Sequence, residues 1–216
     1  MFLGHFAVGL ALKRAAPRAS LGTLTLAALW LDALWPLFLL LGIERTSIAP
    51  RHPNPFLALD FVSYPLSHSL LLTLVWGILF AIVYAARTRY RVGAVVVGVL
   101  VLSHWVLDFL VHRPDLPLWP GGPTVGLGLW FDPIATIIVE SLMFLLGLVL
   151  YVRRTRPRNL IGKASLWAYV IVLAALYVAD ANAPAPHDMT VVAYIGVIGW
   201  IFVPWAFWID HNRELR

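Results

Sequence analysis

Cysteine is absent from the 216-residue chain. That excludes disulfides and thiolate metal sites, and it leaves His, Asp and Glu as the only strong metal ligands. Charge is scarce as well: Asp, Glu, Lys and Arg make up 12% of the residues against 61% hydrophobic, at a mean hydropathy of +0.83. A soluble domain of this size carries about a quarter of its residues as charges, so the composition excludes that class and fits a polytopic helical membrane protein. No internal repeat or low-complexity linker divides the chain, and residues 1–216 read as one integral-membrane domain. The first apolar run, 2–12, lacks both the leading positive charge and the cleavage site of a secretory leader, so it reads as a retained, short membrane helix.

What the chain does have is a series of long apolar runs. Six of them, at about 21–42, 68–86, 92–111, 133–152, 164–179 and 190–209, read as helical spans of roughly 30 Å of hydrocarbon. The predicted fold is therefore all-α, with six transmembrane helices plus the short N-terminal membrane helix. Most of the 16 basic residues fall on one set of loops: Lys13, Arg14 and Arg18; Arg87, Arg89 and Arg91; Arg153, Arg154, Arg156, Arg158 and Lys163; Arg213 and Arg216. The alternate loops hold only Arg45, Arg51 and Arg113. The positive-inside rule then predicts a bacterial cytoplasmic (inner) membrane protein with a cytoplasmic C-terminus and with loops 43–67, 112–132 and 180–189 facing outward. The basic 153–163 loop either sets this topology or holds anionic lipid head groups. The pI near 9.9 follows from these loops and implies no nucleic acid partner.

Against this apolar background the intramembrane ionisable residues stand out. A charge at bilayer depth costs at least a few kcal/mol unless it is paired, solvated or metal-bound, so such residues mark functional sites. Ser103-His104-Trp105-Val106-Leu107-Asp108 closes the third span, and His112 follows one turn on. Residues four apart share a helix face about 5–6 Å apart, close enough for His104 and Asp108 to reach one cation. On the predicted topology Asp108 lies about one turn below the outer surface, His104 and Glu140 about two turns, Asp32 near the middle of the first span and His68 at the mouth of the second. His5 joins them if the 2–12 run crosses from outside toward Lys13. Each has a plainer reading alone: His68 as a helix cap beside Pro65 and Ser67, Asp32 as a paired buried acid, Glu140 as an interhelical hydrogen-bond partner. Their common depth favours a joint site.

A His and carboxylate set without thiolate suits a divalent metal, zinc first and manganese or iron as alternatives, with one or two ions left open. In the outer loop, Arg113 can grip a phosphate or carboxylate bidentately, while His112 or Asp115 can act as general acid or base beside a metal, and Glu140 in the fourth span is a further catalytic candidate. The alternative there is an Arg113–Asp115 ion pair in a rigid Pro-rich turn. Gly126 and Gly128 give this loop room to fold over the mouth.

Gly4-His5-Phe6, Leu31-Asp32-Ala33, Ser67-His68-Ser69-Leu70 and the Ser103 to Asp108 run together resemble the YdjM-like family of bacterial membrane-bound metal-dependent hydrolases. The resemblance covers about the first 115 residues in order. It implies His5, Asp32, His68, His104 and Asp108 as the metal-binding residues. The family element around the first acid carries a second acid or His in a Pro-Asp-x-Asp-like arrangement, whereas this chain has Asp32 alone between Trp30 and Trp35, with Glu140 as a candidate replacement. The last two spans match no motif and read as scaffold.

Three functions fit these residues. A metal-dependent hydrolase acting on a lipid-linked ester or phosphoester comes first, because a lipid can slide its head group laterally into such a site while its tail stays in hydrocarbon. Its partners would be membrane lipids and a small-molecule or lipid substrate. A proton- or metal-ion-coupled transporter comes second, and it needs matching polar residues in the inner half, where the sequence suggests none. A noncatalytic, metal-stabilised scaffold comes third.

Overall fold

The computed structural model describes residues 1–49 and 54–216, which leaves Arg51 of the outer-side basic set outside the described residues. Among the described residues ten α-helices carry the fold: α1 (Leu3–Leu12), α2 (Leu21–Ala28), α3 (Trp30–Leu40), α4 (Pro65–His68), α5 (Leu70–Thr88), α6 (Arg91–Val111), α7 (Pro133–Arg154), α8 (Leu160–Asp180), α9 (Met189–Ile198) and α10 (Phe202–His211). Among the described residues five helices are long and apolar enough to cross a membrane when Met189–His211 is taken as one, and there are six if the bent α2–α3 pair is counted as one span. This agrees with the all-α, six-span expectation.

Polar caps set where the spans begin. Ser20 accepts from the Thr23 amide, Ser69 from Leu72, Asp132 from Ala135 and Asn159 from Gly162, each satisfying an otherwise orphaned N–H of a first turn. Ser69, not Ser67, caps the second long span, so His68 ends the separate four-residue helix α4 and the span starts at Leu70.

The first long span departs from expectation. It breaks at Leu29 (φ −101, ψ 8), and α2 and α3 meet at a 55° bend. The break places Asp32 in the first turn of α3, where the helix dipole favours a carboxylate, and it leaves the Ala28 carbonyl at the end of α2. Helix α1 has ten residues, about 15 Å, which is half of a bilayer core. It therefore cannot cross alone, and it lies against α7 through Gly147, where a Cβ would collide with the Ala7 carbonyl. Gly77 and Gly98 bring α5 and α6 together in the same way, each glycine facing the other's carbonyl.

Among the described residues three two-stranded antiparallel ribbons cover the ends. β1 (Arg45–Ile48) pairs with β2 (Leu59–Ser63), β3 (Leu116–Pro117) with β4 (Thr124–Val125), and β5 (Thr155–Pro157) with β6 (Arg213–Leu215). The first two ribbons lie at the end where α6 terminates, and the third closes the basic end. One buried cluster joins α1, α7, α8 and α10, and a second joins α2 and α6 with Tyr64 and Leu116. His5, Asp32, His68, His104 and Asp108 lie where these two halves meet.

Candidate metal centre

Four elements deliver the cluster: α1 brings His5, α3 Asp32, α4 His68, and α6 both His104 and Asp108. His104 Nε2 lies 3.2 Å from Asp108 Oδ2 and 3.6 Å from Asp32 Oδ1. His68 Nε2 lies 3.7 Å and 3.6 Å from the same two oxygens. Four of the five side chains are sealed in the interior, whereas the Asp32 side chain is 47% exposed and forms the open edge. The His5 ring stacks on His104 with centroids 3.6 Å apart, and its Nε2 lies 3.1 Å from Asp108 Oδ1. That same oxygen accepts from the Met1 amine at 2.7 Å.

The hydrogen bonds behind the rings decide what the rings can do. A carbonyl only accepts, so the 2.7 Å contact between His104 Nδ1 and the Ala28 oxygen puts the proton on Nδ1. Neutral His104 then turns an Nε2 lone pair toward two carboxylates, and Nε2 is buried with no hydrogen-bond partner. Lone pairs facing carboxylates repel unless a cation lies between them. The separations of 3.2–3.7 Å are close to the ligand–ligand edge of about 3.3 Å that a tetrahedral ion with bonds near 2.05 Å requires. The donor set therefore fits a divalent cation. Two overlapping groups have the necessary spacing, His5 with Asp32 and His104, and His68 with His104 and Asp108. Both need His104, whose one free nitrogen can ligate only one ion.

Behind His68 stands Glu44, which the sequence reading missed. Its Oε1 accepts from the Ser67 amide at 2.8 Å and its Oε2 from the Ser67 hydroxyl at 2.6 Å, while Ser67 Oγ lies 2.7 Å from His68 Nδ1. Nothing in the spacing of Glu44 singles it out; the signal available was an acid directly after a span, and the adjacent Arg45 makes it read as one half of a surface ion pair.

The proposed acid and base residues fare differently. Glu140 holds the start of α1: its Oε2 accepts from the Gly4 amide at 3.3 Å, with the amides of Leu3 and Phe2 converging on the same carboxyl. It does not replace a missing ligand beside Asp32, because these backbone donors occupy it. Arg113 is likewise committed, its Nε donating to Asp115 at 2.9 Å and its terminal nitrogen to Asp60 at 2.6 Å and the Leu59 carbonyl at 2.7 Å. The ion-paired turn is the arrangement present, and Arg113 is not free to grip a substrate. His112 donates through Nδ1 to Asp115 at 2.9 Å, and the Tyr64 ring stands between it and His68, 6.2 and 5.3 Å from the two ring centroids. The glycine segment folds back on the end of α6, where Leu127 and Gly128 donate to the Phe109 and His112 carbonyls. At the basic end, Lys13 pairs with Asp210 at 2.8 Å, and Tyr151 reaches Asp210 at 3.5 Å. The basic end thus does carry buried polar groups, but they neutralise one another.

These spans and this buried polar cluster define a polytopic helical membrane protein with His and Asp groups able to hold a metal ion. The YdjM inner membrane protein family matches residues 58–183, more than half of the chain, and the protein belongs to that family. The match begins and ends later than the motifs suggested: it takes in His68, His104, Asp108 and Glu140 and runs through α8, but not His5 or Asp32. No curated protein and no solved structure matches the chain.

Proposed function

We propose that the protein is a membrane-embedded metal-dependent hydrolase acting on a lipid-linked ester or phosphoester, with its site facing outward from the inner membrane. The supporting observation is the pair of His104 and His68 rings, each tied down through Nδ1, with the opposite nitrogens turned to Asp32 and Asp108. His68, His104, Asp32 and Asp108 hold the ion, and His5 lies against them as a further ligand. A divalent ion supplies polarisation of a phosphoryl or carbonyl oxygen and lowers the pKa of water to about 7. The half-exposed Asp32 edge admits a head group.

The site takes one ion, because both possible triads depend on the single free nitrogen of His104. Elemental analysis of protein purified in mild detergent tests this directly. Wild type should carry about one zinc, manganese or iron per chain, His104→Ala and Asp108→Ala should carry none, and the exposed His187→Ala and His211→Ala should be unchanged. Wild type that stays metal-free after zinc and manganese are added would make the cluster a proton and hydrogen-bond network. With metal confirmed, turnover of phospholipid and isoprenoid phosphoesters against short, water-soluble analogues decides the substrate class; equal rates on both would remove the lipid requirement.

A further inference from the structure

Glu44 is buried to 2% exposure in the connection after α3, 23 residues away from its hydrogen-bond partner Ser67. A carboxylate buried that deeply is costly unless it is hydrogen-bonded, and both Glu44 oxygens accept from Ser67. We propose that Glu44 is a positioning residue for the metal centre, acting through the Ser67 hydroxyl to fix the tautomer and the ring orientation of His68. The inference rests on the metal-binding reading and adds a residue to it.

Three short contacts define the chain of donors. The Ser67 hydroxyl has one proton. Glu44 Oε2 lies 2.6 Å from Oγ, and the alternative acceptor, the Tyr64 carbonyl, lies at 3.4 Å, so the proton goes to Glu44. Ser67 Oγ must then accept from His68, which places the second proton on His68 Nδ1 across 2.7 Å. His68 Nε2 is left as a lone pair 3.6–3.7 Å from Asp32 and Asp108. Helix α6 obtains the same result for His104 from a backbone carbonyl. The short helix α4 has no carbonyl placed there, and the carboxylate–serine pair takes that place. Orientation of ligating imidazoles through their other nitrogen is what outer-shell carboxylates supply in metal sites.

A simpler role for Glu44 is capping α4, since its Oε1 also accepts from the Ser67 amide at 2.8 Å. Ser67→Ala separates the two roles: it keeps the amide bond and the cap but removes the hydroxyl from the relay. Zinc affinity is measured by competition with a chromophoric chelator on wild type, Ser67→Ala, Glu44→Gln, the double variant, Ser67→Thr and His104→Ala, all in detergent. Both single variants should bind zinc 10–100-fold more weakly at unchanged saturating stoichiometry. The double variant should be no worse than about twofold beyond the weaker single one, because both changes break one chain. Ser67→Thr, which restores the hydroxyl, should recover most of the affinity. Wild-type affinity in Ser67→Ala, with zinc lost in His104→Ala, would overturn the relay and leave the metal centre standing. Nitrogen NMR of histidine-labelled apoprotein gives a readout that needs no metal: His68 should be protonated at Nδ1 in wild type and lose that preference in Ser67→Ala. A wild-type proton on Nε2 would overturn the inference on its own.

Discussion

Three donors converge on Asp115: His112 Nδ1 and Arg113 Nε at 2.9 Å, and the Tyr64 hydroxyl at 3.3 Å. Burial alone would raise its carboxyl, but the bonds from His112 and Arg113, with their charge, outweigh burial and hold it below the usual carboxylate range. A lowered folded value means that the stabilisation is complete above the unfolded value of about 3.9 and is lost as pH falls through the folded one. Asp115→Asn should cost about 1–3 kcal/mol at neutral pH by leaving His112 and Arg113 short of an acceptor. It should also flatten the loss of stability below about pH 4, as seen in thermal unfolding midpoints of both proteins from pH 7 to pH 3; parallel curves would contradict this role. At this scale the sequence is legible where spacing carries information. His104 and Asp108 follow from their i, i+4 positions in an apolar run, whereas Glu44 finds Ser67 only through the fold of the intervening segment. Arg113 and Glu140 show the converse: residue type suggested chemistry, and neighbouring acceptors and amides engaged them in structure.

Helices add constraints that no single residue reveals. Span positions are legible because bilayer thickness imposes a length on apolar runs, and the structure keeps them to within a few residues. The break at Leu29 is not legible, since neither proline nor glycine stands there and α3 runs on through Pro36. What favours it is tertiary: His104 takes the Ala28 carbonyl, and Asp32 gains a helix N-terminus facing two imidazoles. The α1–α7 contact is a second case, legible only as one glycine among many. Because a Cβ at Gly147 would overlap the Ala7 backbone, Gly147→Leu should force α1 off α7 and cost about 1–3 kcal/mol, with His5 displaced from the cluster. Thermal midpoints of the Ala and Leu variants should fall in that order of severity. A Leu variant as stable as wild type would mean that α1 packs loosely.

The absence of cysteine makes the whole molecule easy to map, since any introduced thiol reports alone. Leu127, 65% exposed beside the site, and Leu160, 78% exposed beside β5, lie at opposite ends of the bundle. Leu127→Cys should react with a membrane-impermeant maleimide on intact cells and Leu160→Cys only after permeabilisation; the reverse pattern would turn the site toward the cytoplasm. Membrane class and span number were legible from composition, because both depend on averages over many residues. The meeting of His5, Asp32, His68 and the α6 pair depends on how four separate elements dock, which averages do not encode. The distribution of these groups along the chain also sets an order of events. Every member of the cluster lies between residues 5 and 108, whereas the two groups that seat α1, Glu140 and Gly147, are translated afterwards. At 5–20 residues per second, ribosomes need roughly 2–8 s to advance from Asp108 to Gly147. For that interval the nascent protein carries every residue of the cluster without the brace that later holds the first of them, so the cluster stays open until α7 has been made.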